Sequence, residues 1–453
     1  MESQKLWDRF VAKCPFAVLT QLAVRCLIRE DLDQLFEAER SRQYRRELAF
    51  SSLALAVADV TLGFAENFNQ AYKVHREQLG VSLASFYEKL NATELPVSEA
   101  VVRHSAARAR ELQDELHLTP REILPGYRVF SIDGNHLQES EKRLEPLRDA
   151  FDAPLAGTIV ARFDHQRQLF DRAYLLADAH AQESSTQQRI VDDLQPGDVA
   201  ICDRHYCVLD LLRGISAAGA CYVIRQHGRF QGDLQGSRVA AGRTATGAVY
   251  EQGLSSRGRN AFSMRRITIE LDQPTRDGDL VVHVLSNLPA SAPATAIADL
   301  YLRRWEEETA FYYLTTTLTC ERKSVSHPRA ALFLFCMAML AYNIRQIVFA
   351  ALSAEHPAEQ VAEVSHHQVS VEVSRYTDGL LTAIEDSEWE SRVPDGAGGV
   401  ASQLRQISRT IDLRKYRKSR RGPKKKKTIA NPGRPRTHLS TAKALVKAKR
   451  PRP

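Results

Sequence analysis

The chain has 453 residues, 43% of them hydrophobic and 26% charged, with a formal net charge of +7. That is enough apolar material to bury a full core and enough length for more than one domain, which excludes a disordered or fibrous polypeptide. The charge is unevenly placed: residues 413–453 hold 17 Lys plus Arg and no Asp or Glu, so the first 412 residues carry an excess of ten acids. A basic tail on an acidic body is an electrostatic handle for a polyanion such as nucleic acid. On composition alone the alternative is a solvated, disordered end.

Glu2 and Asp8 near the N-terminus leave no charged-then-apolar leader, so no secretory signal is expected. Residues 1–120 read as helical, with apolar positions at helical period in CPFAVLTQLAVRCLI and LAFSSLALAVADVTLGF. Ser82 and Ser98 are candidate N-caps in a stretch that fits either a small DNA-reading helical unit or a plain bundle. Two prolines and a glycine in HLTPREILPGYR mark a first boundary near residue 120.

From Tyr127 the texture changes to short apolar runs, YRVFSID, GTIVARFD, LFDRAYLLAD, DVAICD and CYVIR. These read as strands of a mixed α/β sheet, with His165 to Gln168 as a hairpin turn between the second and third runs. Asp133 ends the first strand and Asp203 the fourth; if those strands are neighbours, the two carboxylates meet at one edge of the sheet. Residues 225–290 read as a β-rich insertion, with glycine-rich loops before AVYEQGL, SMRRITIEL and LVVHVLSNL. A helix follows near Thr295 and carries YLRRWEEETAF, where offsets of three and seven set Tyr301, Arg304 and Glu308 on one side.

The longest apolar run, residues 330–342, is followed at once by Asn343, Arg345 and Gln346, so it is expected to be a buried helix, too short and interrupted to span a bilayer. Residues 353–412 read as helical with a soft joint at PDGAGG, and 413–453 as a basic, disordered DNA-binding tail. In that tail Lys424, Lys425, Lys426, Lys427, Arg434 and Arg436 are the candidate DNA contacts, and Gly433-Arg434-Pro435 resembles the core of an AT-hook. The seven cysteines include no Cys-x-x-Cys pair, which favours reduced thiols and leaves Cys202, beside Asp203, a small buried residue rather than a zinc ligand.

Two strand-end aspartates and a helical glutamate can cradle two divalent cations, because magnesium takes one or two protein carboxylates per ion and completes its octahedron with water and phosphate. In that arrangement Asp133 bridges the ions, Asp203 and Glu308 hold one each, and Arg304 and Tyr301 contact phosphates near the cut. Singly, each residue has a plainer reading. A strand-end aspartate often caps a turn, and Glu306-Glu307-Glu308 could be a solvated helix face.

The ordered set, with SIDGNHL, GDVAICDRHY, LYLRRWEEETAF and PRAALFLFCMAMLAYNIR, resembles the DDE transposases of bacterial insertion sequences, in the insertion sequence four group with a Tyr-Arg-Glu-Lys signature. The resemblance runs through residues 14–350 and includes PFAVLTQLAVRCLI, QYRRELAFSSL and VSLASFYEKLN. It implies a ribonuclease H-like catalytic domain over 121–352, an N-terminal DNA-binding domain over 1–120, and two Mg2+ ions with Mn2+ as a substitute. It also implies cut-and-paste transposition between inverted-repeat ends and target DNA by a homodimer on double-stranded DNA, in the bacterial cytoplasm at the nucleoid, with no membrane partner. Carried across by position, the catalytic and metal-binding triad is Asp133, Asp203 and Glu308. One departure stands out: where the signature has lysine, seven residues after the glutamate, this chain has Thr315, whose hydroxyl can contact a phosphate without supplying charge. A nuclease that only hydrolyses DNA, and a decayed DNA-binding protein, are the competing expectations.

Overall fold

A computed structural model describes residues 2–28, 31–43, 47–137, 153–181, 183–258, 261–275, 278–318, 325, 327–419 and 438–448. The apolar runs after Tyr127 form strands β1 (Arg128–His136), β2 (Ala153–Leu155), β3 (Thr158–Asp164), β4 (Leu169–Leu176), β5 (Asp198–Cys202) and β6 (Cys221–Arg225). Four more follow as β7 (Gly232–Thr244), β8 (Gly247–Ser256), β9 (Ser263–Leu271) and β10 (Val281–Ser286), and β11 (His438–Ser440) comes last. One mixed sheet of nine strands runs in the order β4-β3-β1-β5-β6-β10-β9-β8-β7. The fold is therefore mixed α/β. β1 pairs antiparallel with β3 and parallel with β5, and β5 continues parallel to β6. The β-rich stretch of 225–290 extends this same sheet through the antiparallel β6–β10 and β10–β9 pairs.

Both faces of the central strands are covered, which is why they read as continuous apolar runs rather than alternating ones. Val129, Val199, Ile201 and Val223 pack against Ile297, Ala298 and Tyr301 of the helical segment on one side. Ala200, Cys202, Tyr222 and Ile224 pack against Ile190, Leu211 and Ile215 on the other. Asp164 closes the β3–β4 turn by accepting from the N–H groups of Gln166 (2.9 Å) and Arg167 (3.0 Å), and Gln168 adopts a left-handed φ of 58°.

The 26-residue helix Pro328–Ser353 is longer than the apolar run suggested, and by length and composition it could cross a bilayer. Its most apolar window is 83% buried inside the protein, so core packing accounts for its composition. Asn343 fixes it against the outer strand of the sheet: Nδ2 donates to Phe170 O (2.8 Å) and Oδ1 accepts from Phe170 N (3.0 Å). Those bonds satisfy edge groups of β4 that would otherwise be open to pairing. Around the same helix, Phe16, Leu53 and Val101 from the N-terminal helices share one apolar cluster with Val373, Val400 and Leu404 from the C-terminal ones. Helices from before residue 120 and from after residue 352 thus contribute to one apolar cluster around Pro328–Ser353.

Three expectations need correction. Ser82 does cap its helix, accepting from Ser85 N, but Ser98 lies inside the helix Leu95–Glu115, where its hydroxyl donates back to Glu94 O (3.2 Å). The helix starts earlier because Pro96 fits its first turn. Residues 232–244, read as loop, form β7; nearly all its side chains are exposed and it pairs with β8 alone, so it shows no apolar alternation. Parts of the expected disordered tail are docked. Leu413 is buried, the Tyr416 ring meets Phe16 edge-on at 4.7 Å with its hydroxyl on Glu372, and β11 pairs with β2 ahead of the helix Thr441–Ala448.

Candidate active site

Ile132 of β1 lies opposite Cys202 of the parallel β5, so Asp133, which sits inside β1 and not at its end as expected because β1 runs on to His136 against β3, and Asp203, the residue after β5, emerge as neighbours. Asp133 accepts from Gly134 N at 2.9 Å. Asp203 accepts from His205 N at 2.8 Å and heads the short turn Arg204–Tyr206, so it serves as a cap as well as facing the site.

Tyr301 and Arg304 do not share one helix. The helix Ala294–Leu302 ends, Arg303 turns, and a second helix spans Arg304–Thr316. At the join Arg303 N bonds Leu300 O (3.0 Å) and Glu306 N bonds Arg303 O (2.8 Å), tightening the turn to i→i−3 spacing. Arg303 keeps helical dihedrals (φ −67°, ψ −15°), so the two faces still converge. Arg304 bridges strand and helix: Nη1 donates to Asp133 Oδ2 at 3.0 Å, and Nη2 forms an ion pair with Glu308 Oε1 at 2.7 Å. Burial opposes its charge, but Asp133, then Tyr301, Glu308 and Asp203, hold the guanidinium protonated more firmly than usual. Burial likewise raises the Tyr301 phenol, with Arg304 and Arg225 opposing.

The glutamate run is not a solvated face. Glu306 accepts from Gln168 Nε2 (2.9 Å) and Arg303 Nη1 (2.9 Å), fastening the helix to the β3–β4 turn. Burial pushes its carboxyl up, but hydrogen bonds from His165 and Gln168 outweigh it and bring the pKa down to about 2. Glu307 is 0% exposed, with no hydrogen bond of ordinary geometry to either oxygen. Burial, and then the Asp133 charge, push it well above the carboxylate range despite Ser131 and Arg304. Sequence reasoning passed over Glu307; the signal was Phe311 and Leu314, four and seven residues on, which make its side of the helix the buried one. Glu308 alone of the three joins Arg304 and Asp133 at the sheet edge. The Cys202 thiol behind the aspartates is pushed well up by burial and by Asp203, Glu307 and Asp133.

Thr315 is exposed on the Arg304–Glu308 face, but its hydroxyl donates back to Phe311 O (3.2 Å) and Tyr312 O (3.1 Å). Lys424, Lys425, Lys426, Lys427, Arg434 and Arg436 lie outside the described residues. Among the described residues no three His, Cys, Asp or Glu side chains stand grouped to hold a metal ion, since the Arg304 guanidinium sits between Asp133 and Glu308. The donors are nevertheless suited to one. Three carboxylates face a single guanidinium, a surplus of negative charge on the hard oxygen ligands that magnesium prefers.

Residues 161–344 match the family model described as the transposase DDE domain. The match supports a DDE transposase. The matched span takes in Asp203, Tyr301, Arg304, Glu308 and Thr315 of the DDE domain and begins after Asp133. Among solved structures, the chain is similar to the cryo-EM structure of the piggyBac transposase synaptic complex with hairpin DNA. The two share 13% identity at a TM-score of 0.39, over 87% of this chain and 75% of that one. None of the curated proteins matches this chain.

Proposed function

We propose that the chain is a metal-dependent DNA transposase of the Tyr-Arg-Glu signature group that cleaves DNA at the ends of its own element and joins them to a target. The observation that carries this reading is the meeting of Asp133, Asp203 and Glu308 around Arg304 at the end of the β1–β5 pair. On this reading the β4-β3-β1-β5-β6 half of the sheet is the ribonuclease H-like core, and the three carboxylates hold two Mg2+ ions, with Mn2+ as a substitute. Bound there, the cations supply Lewis-acid stabilisation of charge building on the phosphate oxygens.

Arg304 is the residue that must move. Released from Asp133 and Glu308, its planar guanidinium can take two phosphate oxygens at once, and the Tyr301 hydroxyl beside it can donate a further hydrogen bond. In cleavage a water oxygen bonds to phosphorus, the bond to the 3′ oxygen breaks, and the strand leaves with a 3′ hydroxyl. In joining, that hydroxyl is the nucleophile on a target phosphate. The protein works as a homodimer on double-stranded DNA at the bacterial nucleoid, with the N-terminal helices and the basic tail as further DNA contacts.

Replacing Asp133, Asp203 or Glu308 with alanine is expected to lower Mg2+-dependent strand cleavage by more than about 10³-fold, the scale on which loss of transition-state stabilisation is read. DNA binding at moderate salt should survive in each variant. Normal cleavage by any one of them removes that residue from the mechanism. The Thr315 hydroxyl, uncharged and bonded to its own helix, favours a second reading in which the ends are cut but weakly retained. Joining of a pre-cut 3′ end to plasmid DNA separates the two.

A further inference from the structure

Cys202 of β5, Ile224 of β6, Leu285 of β10 and Arg266 of β9 are partners in one row across the sheet. Residues paired in this way share a face, and the first three pack in one cluster with Ile190, Leu211 and Ile215. Arg266 is the member of the row that is only half-buried. Its Nε donates to Gln226 Oε1 at 2.9 Å, while Nη1 and Nη2 bond nothing among the described residues, and no carboxylate there lies within ion-pair distance. The other arginine beside it, Arg238, lies over the Tyr250 ring at 3.6 Å and is paired with Glu270 at 2.5 Å. Burial, and then repulsion from Arg238, draw the Arg266 pKa down. Burial and the same two guanidinium groups bring His283 down to about 4, so it stays neutral. One carboxylate thus answers two guanidiniums.

A guanidinium held at Nε by Gln226, with its outer nitrogens open on a floor of strands, is set to take an oxyanion from solvent. The turns between Asp203 and Arg266 say which anion. Asp203 heads the turn Arg204–Tyr206, Cys207 meets the backbone of His227, and Gln226 next to it bonds Arg266, so the two turns form one lip leading away from the carboxylates. The second turn is closed by Phe230 N on His227 O at 2.9 Å. Arg204 and Arg229 stand exposed on this lip, again with no carboxylate within ion-pair distance among the described residues. Three strand spacings put Arg266 about 14 Å along the sheet from Cys202. At about 3.4 Å per nucleotide along a duplex strand, that is about four nucleotides. Cations strung over this length suit a polymer of phosphates, where a single small anion would reach one of them.

We propose that Arg204, Arg229 and Arg266 hold the phosphate backbone of duplex DNA on one side of the cut, with Arg266 about four nucleotides from it. The proposal rests on the transposase reading for its ligand and adds the direction in which the duplex leaves the carboxylates. The test measures binding of full-length protein to a fluorescein-labelled 20-base-pair duplex of arbitrary sequence, in EDTA, across a salt series. Each lost phosphate contact lowers the slope of log K against log salt by about 0.9. Arg266→Gln is therefore expected to lower it by about 0.9, and Arg229→Gln with Arg266→Gln by about 1.8, while Arg266→Lys stays near the native slope.

An unchanged slope in a double variant that still melts like the native protein overturns the proposal. If Arg266→Gln does not fold, Arg204→Gln with Arg229→Gln decides instead, since both side chains are exposed, and the expected loss is again about 1.8. A native slope in the variants, with inorganic phosphate raising the melting temperature of the native protein but not of Arg266→Gln, would make this a small-anion site and also overturn it. Because EDTA removes divalent cations, failure of the catalytic reading shows in the cleavage assay and failure of this one in the salt slope.

Discussion

Glu307 and Asp171 are both fully buried carboxyls, and their surroundings call for opposite behaviour. Asp171 takes two bonds from Arg162 (Nε 2.8 Å, Nη2 2.8 Å) and one from Arg110 (2.7 Å), tying β3 and β4 to the helix Leu95–Glu115. Burial raises its pKa, but Arg162 and then Arg110 overcome this and leave it lowered. Asp171→Asn leaves the buried Arg162 guanidinium without its carboxylate, while Arg110 keeps Asp164 (3.0 Å), and is expected to cost about 3–5 kcal/mol in urea unfolding. A depressed carboxylate contributes stability above its unfolded value and loses it as pH falls through the folded one. The gap between native and Asp171→Asn should therefore be full at pH 7 and shrink below about pH 4. Glu307 has no such partners, so Glu307→Gln, of equal shape, is expected to leave the unfolding free energy unchanged within about 0.5 kcal/mol or to raise it, consistent with removal of an unanswered buried acid. A large loss of stability in Glu307→Gln would show the carboxylate to be paired after all.

At the scale of elements, the sequence announced those strands whose burial is on both faces. β1, β3, β5 and β6 follow the apolar runs to within a few residues, and Asp133 and Asp203 could be placed because each directly follows such a run. β7 was illegible for the converse reason: GDLQGSRVAAGRT buries little, carries glycines, and is held by its partner strand rather than by an apolar face. The break at Arg303 left no mark either, since Leu300, Tyr301 and Arg304 satisfy a helical pattern whether or not the helix tightens between them. Composition likewise described the tail by its charge and missed that Leu413 and Tyr416 are anchored. Truncation shows the difference. Ending the chain at residue 419 removes the β11–β2 pair but no member of the main apolar cluster, so it should leave the main melting transition in place while weakening DNA binding and flattening its salt dependence. Ending it at residue 412 also exposes the surface under Leu413 and Tyr416 and should lower the melting temperature by several degrees, on the order of 1–2 kcal/mol. Equal melting temperatures for the two truncations would show that the anchor contributes nothing.

Across the whole molecule, one helix, Pro328–Ser353, joins the N-terminal helices, the C-terminal helices and the β3–β4 side of the sheet in a single apolar cluster. The candidate site lies at the end of that sheet, on strands fixed from both faces, so its two aspartates are held by the core while Glu308 arrives on the separate helix Arg304–Thr316. That division places one carboxylate on a helix fastened separately, by Glu306 to the β3–β4 turn and by Phe311 and Leu314 to the main apolar cluster. The central claim is that cations replace the Arg304 guanidinium between the carboxylates. Diffraction from crystals of the protein with DNA and Mn2+, at the manganese absorption edge, tests it most directly. The account predicts anomalous peaks about 2.0–2.3 Å from carboxylate oxygens of Asp133, Asp203 and Glu308, with Arg304 turned onto a phosphate. Peaks elsewhere in the chain, with Arg304 still bridging Asp133 and Glu308, would contradict it.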